Sequence, residues 1–114
     1  MALDKVYAHL SCTDLNRSTD WFGKLFGRPP DARPMDGLVE WHHGNSAGFQ
    51  VFAEPSNAGH GTLTLIVTGL RDEHARLLGA GLEPGDLEPA DTASLVRLRD
   101  PDGNLVVFAQ PRRA

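Results

Sequence analysis

The sequence predicts an α+β protein of two tandem βαβββ modules related by pseudo-twofold symmetry, with sheets that curl around a cleft. Three observations lead there. The chain repeats itself: Tyr7-Ala8-His9-Leu10-Ser11-Cys12-Thr13-Asp14-Leu15 is echoed by Thr62-Leu63-Thr64-Leu65-Ile66-Val67-Thr68-Gly69-Leu70. Leu38-Val39-Glu40-Trp41 with Phe52-Ala53-Glu54-Pro55 is likewise echoed by Leu95-Val96-Arg97-Leu98 with Phe108-Ala109-Gln110-Pro111. The offset stays near 55 to 57 residues, so the order of elements repeats and not one motif alone. A unit of that size buries too little to stand alone, and two copies pairing by symmetry solve the problem.

Each element follows from local chemistry. Residues 4–12 alternate as a strand, with Val6, Ala8, Leu10 and Cys12 on one face and Tyr7, His9 and Ser11 on the other. Asp14 is a helix N-cap, and Leu15, Ser18, Phe22, Leu25 and Phe26 form one helical stripe. Gly27 and Pro29-Pro30 stop that helix. The Pro-rich stretch 29–36 reads as a loop, with room for a short edge strand. Strands follow at about 37–43 and 48–54, joined by Gly44-Asn45-Ser46-Ala47-Gly48.

Residues 54–59 form the linker, which sets modules at about 1–55 and 60–114 within one domain. The second half opens with a strand at about 61–68. A helix over 70–80 is expected to turn Leu70, Leu77 and Leu78 inward and to end at Gly79 or Gly81. Residues 84–92 are again loop-like, and strands near 94–99 and 104–110 are joined by Asp100-Pro101-Asp102-Gly103-Asn104. That turn reads as a tight hairpin, because it lacks the further acidic ligands of a calcium loop.

Bulk properties narrow the function classes. A hydrophobic content of 40% and a charged content of 23% are ordinary for a globular protein. A formal charge of −4 without a basic stripe argues against nucleic acid. No apolar run suits a membrane, and Met1-Ala2-Leu3-Asp4-Lys5 lacks a signal-peptide pattern. A single cysteine, Cys12, excludes an internal disulfide framework and fits a cytoplasmic protein. Tyr7, His9, Thr62 and Thr64 make the strand faces away from the helices too polar for a dry core. A concave space with a few convergent polar groups is the default ligand site.

The whole pattern resembles the vicinal oxygen chelate superfamily, which groups glyoxalases, bleomycin-resistance proteins and extradiol dioxygenases. Asp14-Leu15-Asn16-Arg17-Ser18 with Trp21-Phe22 and Leu25-Phe26-Gly27 is similar to the family's first helix. Arg99-Asp100-Pro101-Asp102-Gly103-Asn104 is similar to its signature turn before the last strand. The resemblance implies that catalytic members hold a divalent metal with four side chains, one from each of four cleft strands, for a chelating substrate. Carried onto this chain, those positions fall on Tyr7, on Gln50 or Val51, on Thr62 and on Val107. Valine has no lone pair to donate, and neutral Tyr and Thr are poor ligands. The resemblance is therefore to the metal-free branch, typified by bleomycin-binding and antibiotic-sequestering proteins, with no cofactor and commonly a homodimer that completes the cleft.

The expected ligand-binding residues are Tyr7, His9, Glu40, His42, Gln50, Thr62, Thr64 and Arg97, with no catalytic residue and no metal site. His42 and His43 are neighbours on a strand and point to opposite faces, so they cannot chelate together. Glu40 and Arg97 occupy matching positions in the two halves, where they either orient a polar or zwitterionic ligand or pair with each other. Trp41 faces the helix by alternation and belongs to the core. His60 and His74 read as surface residues, and Cys12 as a small buried thiol. The alternative function is a glyoxalase-like lyase, epimerase or dioxygenase with a rearranged metal site around His9, His42 and Gln50.

Overall fold

Strand alternation and helix capping generate two copies of one module. A computed structural model of the chain describes residues 1–112. The first module comprises β1 (Val6–Cys12), α1 (Leu15–Phe26), β2 (Ala32–Met35), β3 (Leu38–His43) and β4 (Ala47–Ala53). After a short 3-10 turn at Pro55–Asn57, the second comprises β5 (Thr62–Ile66), α2 (Leu70–Gly79), β6 (Glu88–Pro89), β7 (Ala93–Arg99) and β8 (Leu105–Pro111). The sheets run β1-β4-β3-β2 and β5-β8-β7-β6, so the modules share one topology. In each, the first strand pairs parallel with the last, which the crossover helix requires. The Pro-rich stretch before Asp36 holds a strand, and the loop before Thr92 holds a two-residue one.

α1 starts where expected: the Asp14 carboxylate accepts the Arg17 backbone N–H at 3.1 Å. Such a cap is worth about 1 kcal/mol. Gly27, at φ 74°, ends the helix in the left-handed conformation that only glycine adopts freely. α2 has no side-chain cap of its own, because its N-cap is Gly69. Gln110 of β8 substitutes, its side-chain Oε1 accepting the Leu70 N–H at 2.7 Å.

The core lies between each helix and its sheet. In the first module Phe22 packs against Phe49 (ring centroids 4.8 Å apart), and Phe26 packs against Trp41 (5.5 Å). Val39 and Val51 complete this layer, both fully buried. The second module is aliphatic by comparison, with Leu63, Leu70, Leu77, Val96, Leu98 and Val106 around Phe108. One expectation fails here: Leu78 is 54% exposed. A helical step of about 100° carries it off the stripe that Leu77 occupies. Leu82 fills the place instead, brought inward after Gly81 turns the chain at φ 83°.

The two sheets meet along β1 and β5, each the edge strand of its sheet. Gly61 permits the approach, since a Cβ there would overlap the Leu10 side chain. The hairpin after β7 latches the modules together. Buried Asn104 donates to the Ser11 carbonyl (3.1 Å) and accepts the Gly61 N–H (2.9 Å). Asp102 accepts the Thr13 hydroxyl at 2.6 Å. Burial pushes the Asp100 carboxyl above the usual range, against hydrogen bonds from Asn104 and Asp102. On the other side Arg76 of α2 donates to the Lys24 (3.0 Å) and Leu25 (2.6 Å) carbonyls, where the end of α1 attracts a cation.

Candidate ligand-binding site

In the first sheet, Leu10, Cys12, Val39, Trp41, Phe49 and Val51 turn toward α1. Alternation therefore puts Tyr7, His9, Glu40, His42 and Gln50 together on the helix-free face. Strand pairing sets His9 opposite Gln50 and Gln50 opposite Glu40. The side chains bond in that order. His9 Nδ1 lies 3.2 Å from Gln50 Oε1, Gln50 Nε2 donates to Glu40 Oε2 at 2.6 Å, and His42 Nε2 lies 3.1 Å from Glu40 Oε1. A four-residue polar chain thus crosses three strands.

Glycine shapes one end of it. Gly48 lies between Tyr7 and His42 in the pairing, and a Cβ there would come within 2.8 Å of the Tyr7 ring. The missing side chain lets Tyr7 lean over the sheet, edge-on to His42 at 6.1 Å. Phe52 flanks the other end, 6.2 Å from His9. Burial pushes the Glu40 carboxyl up, but the hydrogen bonds from Gln50 and His42, helped by Lys5, outweigh it and hold the group below the usual carboxylate range. Glu40 is an ionised anchor at neutral pH.

His42 is also fixed through its backbone. Its N–H donates to Asp31 Oδ2 at 2.6 Å, its carbonyl accepts from Arg28 at 2.5 Å, and Arg28 pairs with Asp31. This brace was not foreseen in the sequence. The signal present there is an oppositely charged pair flanking the rigid Pro29-Pro30 turn.

The second sheet presents a different helix-free face. Thr62 and Thr64 lie there, exposed, opposite Leu105 and Val107. Arg97 lies opposite Val107 on the other side. Arg97 pairs with Glu88 at 3.2 Å and not with Glu40, so the alternative of a Glu40–Arg97 pair does not hold. His60 is exposed, while His74 is more than a surface residue, with Nε2 2.9 Å from the Gly85 carbonyl. Cys12 is fully buried, and burial raises its thiol pKa despite a hydrogen bond from Ser18.

The register bears on metal binding. Gln50 lies on the helix-free face and Val51 in the core. The matching cross-strand pairs of the two sheets are His9 with Gln50 and Thr64 with Val107. Tyr7 and Thr62 sit two residues earlier in their strands. A four-ligand divalent site does not fit this donor set. Val107 offers nothing, the Thr64 hydroxyl is a weak donor, and the Gln50 amide is engaged at both ends. Among the described residues no group of three His, Cys, Asp or Glu side chains is placed to hold a metal ion.

A recess of about 490 Å³ lies between the modules on the helix side, lined by Leu25, Phe26, Trp41, Phe49, Leu65 and Val67 among others. Of the expected ligand residues it touches only His42 and Thr64. Its two arginines are already paired, Arg76 with Glu73 and Arg28 with Asp31. The polar chain on the first sheet is the better candidate, because its groups converge away from the core. A smaller hollow of about 420 Å³, lined by Lys5, Tyr7, His42, Gly44, Asn45 and Ala47, opens at one end of that chain.

Similar proteins agree with this architecture. A glyoxalase/bleomycin resistance protein from Catenulispora acidiphila DSM 44928 superposes with a TM-score of 0.87 at 25% identity, over 95% of this chain and 98% of that one. TnmS3, an antibiotic-binding protein from Streptomyces sp. CB03234, superposes at 0.83 with 20% identity, over 98% and 99%. A bleomycin-binding protein in complex with bleomycin superposes at 0.79 with 19% identity, over 96% and 99%. Among curated proteins none matches the sequence. The model of the glyoxalase-like domain matches residues 6–108, nearly the whole repeat, and the chain belongs to that family.

Proposed function

We propose that the helix-free face of the first module, with Thr62, Thr64 and Arg97 of the second, binds a small organic molecule and holds it without a metal. Sequestration of a drug or metabolite is the function this arrangement serves. The observation that carries the reading is the polar chain His9–Gln50–Glu40–His42, with its anchor ionised and its ends open. Such a chain adds little to folding, since it lies outside both cores, yet it presents preorganised polar groups beside aromatic walls. The likeness to antibiotic-binding and bleomycin-binding proteins supports the class of ligand. It does not name the molecule, because unrelated functions share such scaffolds.

Two further readings accompany it. The chain works as a homodimer whose second copy completes the cleft, supported by the exposed Val6 and Ile66 on the two meeting edge strands. It works in the cytoplasm, supported by its single, buried, unpaired Cys12. No helix among the described residues is long and apolar enough to cross a membrane.

The test is elemental analysis of the purified protein before and after incubation with Ni²⁺, Zn²⁺, Mn²⁺ and Fe²⁺, followed by a thermal-shift ligand screen. The proposal expects no metal retained through dialysis and at least one small-molecule stabiliser. Near-stoichiometric retained metal would overturn it in favour of an enzyme using His9, His42 and Gln50.

A further inference from the structure

The direction of the hydrogen bonds in the polar chain follows from valence. Glu40 is ionised and accepts only, so Gln50 must turn its NH2 toward it. The reverse amide orientation would set two acceptor oxygens 2.6 Å apart. Gln50 Oε1 therefore faces His9 and accepts from Nδ1–H, which leaves His9 Nε2 as a bare acceptor in the neutral imidazole. By the same logic His42 donates from Nε2 to Glu40, leaving Nδ1 as an acceptor. Among the described residues neither free nitrogen takes a partner. One carboxylate thus locks both rings into opposite tautomers, and each presents a lone pair on the helix-free face.

The surroundings favour a flat molecule. Tyr7 stands edge-on beside His42, and Phe52 lies beside His9. The His42 side chain is 41% exposed, so its free nitrogen is reachable. The nearby charges are Lys5 before β1, the Arg97–Glu88 pair on the second sheet, and Arg99, which donates to the Gly103 carbonyl. Lys5 opposes Glu40 and Glu88 opposes Arg97, while Arg99 is held by the hairpin, so the uncommitted groups of the face are the two imidazole nitrogens.

Building on the ligand-binding reading above, we propose that this face selects aromatic heterocycles that donate hydrogen bonds from ring N–H groups, and discriminates against isosteres that only accept. The selecting atoms are His9 Nε2 and His42 Nδ1. Glu40 and Gln50 are positioning residues that set the tautomers.

Indole and benzofuran are neutral, isosteric probes that differ at the N–H, and benzofuran is the more hydrophobic. The experiment is an NMR titration of the full chain with each, with imidazole nitrogen shifts recorded first in the free protein. The expected tautomers are Nδ1–H for His9 and Nε2–H for His42. Indole should bind about fivefold more tightly than benzofuran, perturbing His9, Gln50 and His42. In Glu40→Gln that preference should fall to within about twofold, with both probes still bound. Nε2–H for His9 or Nδ1–H for His42, or benzofuran binding as tightly as indole, would overturn the donor rule while leaving a small-molecule site intact. Binding of neither up to about 10 mM would overturn the donor rule; the binding reading itself then stands or falls on the thermal-shift screen.

Discussion

The two modules share a topology but place their polar residues differently. In the first, Glu40, Gln50, His9 and His42 lie on the open sheet face, bonded to one another over an aromatic core. In the second, the matching face carries Thr62, Thr64, Val107 and Arg97, while its buried polar groups, Asp100 and Asn104, sit in the hairpin that clasps the first module. A duplicated fold has thus diverged into a recognition half and a clamping half. Pseudo-symmetry constrains the strands, because their inner faces must pack. It leaves the outer faces and the turns free to differ.

If that division holds, core and clamp substitutions will act on stability and face substitutions on binding. The largest effect is expected inside the first module. Phe22→Ala should cost about 4 kcal/mol in a denaturant melt, because Phe22 is fully buried among Phe26, Trp41 and Phe49. Leu77→Ala, the counterpart in the second core, should cost about 3 kcal/mol. Equal losses would show that the aromatic cluster adds nothing beyond its area.

The clamp comes next. Asn104→Ala strands the Gly61 N–H and the Ser11 carbonyl and should cost about 2 kcal/mol, while ligand affinity in the surviving folded protein changes little. On the recognition face the order reverses. Gln50→Ala should weaken any ligand found by thermal shift about tenfold and lower stability by only about 1 kcal/mol, the loss of the donor to the buried Glu40 carboxylate. Thr64→Val on the second sheet should change affinity by about twofold or less. Alanine at His9 or Arg97 should likewise weaken binding more than it lowers stability, by isothermal titration against chemical melts.

The smallest effect is a pH dependence that differs in sign between the halves. Glu40 has a lowered folded-state pKa, so its contribution is present above its unfolded value and is lost as pH falls through the folded one. Asp100 has a raised one, so its contribution is present at low pH and is lost as pH rises through the folded value. The stability gap between the parent and Glu40→Gln should therefore shrink on acidification below the carboxylate range. The contribution specific to Asp100, isolated with Asp100→Asn, should move the other way. Both differences are read from melts across pH.

Much of this architecture is legible in the sequence, for a physical reason. Strands and helices advertise themselves through the alternation of Val6 to Cys12, the Asp14 cap and the stop at Gly27, all of which are local. Local signals also put Tyr7, His9, Glu40, His42 and Gln50 on one side of the first sheet. The bonds among them were not legible, because His9 and Gln50 are 41 residues apart and meet only through β1–β4 pairing. The clamp was hidden for the same reason, since Thr13 and Asp102 are 89 residues apart. Leu78 misleads because one apolar neighbour of Leu77 looks as inward as another until the exact helical phase is known.

The central claim is that ligand sits on the polar face of the first sheet and not in the helix-side recess. Mapping a thermal-shift hit by chemical-shift perturbation on the full chain tests this most directly. The account predicts the largest changes at Tyr7, His9, Gln50 and His42, with smaller ones at Thr64 and Arg97. Changes concentrated at Leu25, Phe26, Trp41 and Val67 would contradict it and move the site to the opposite side of the sheet.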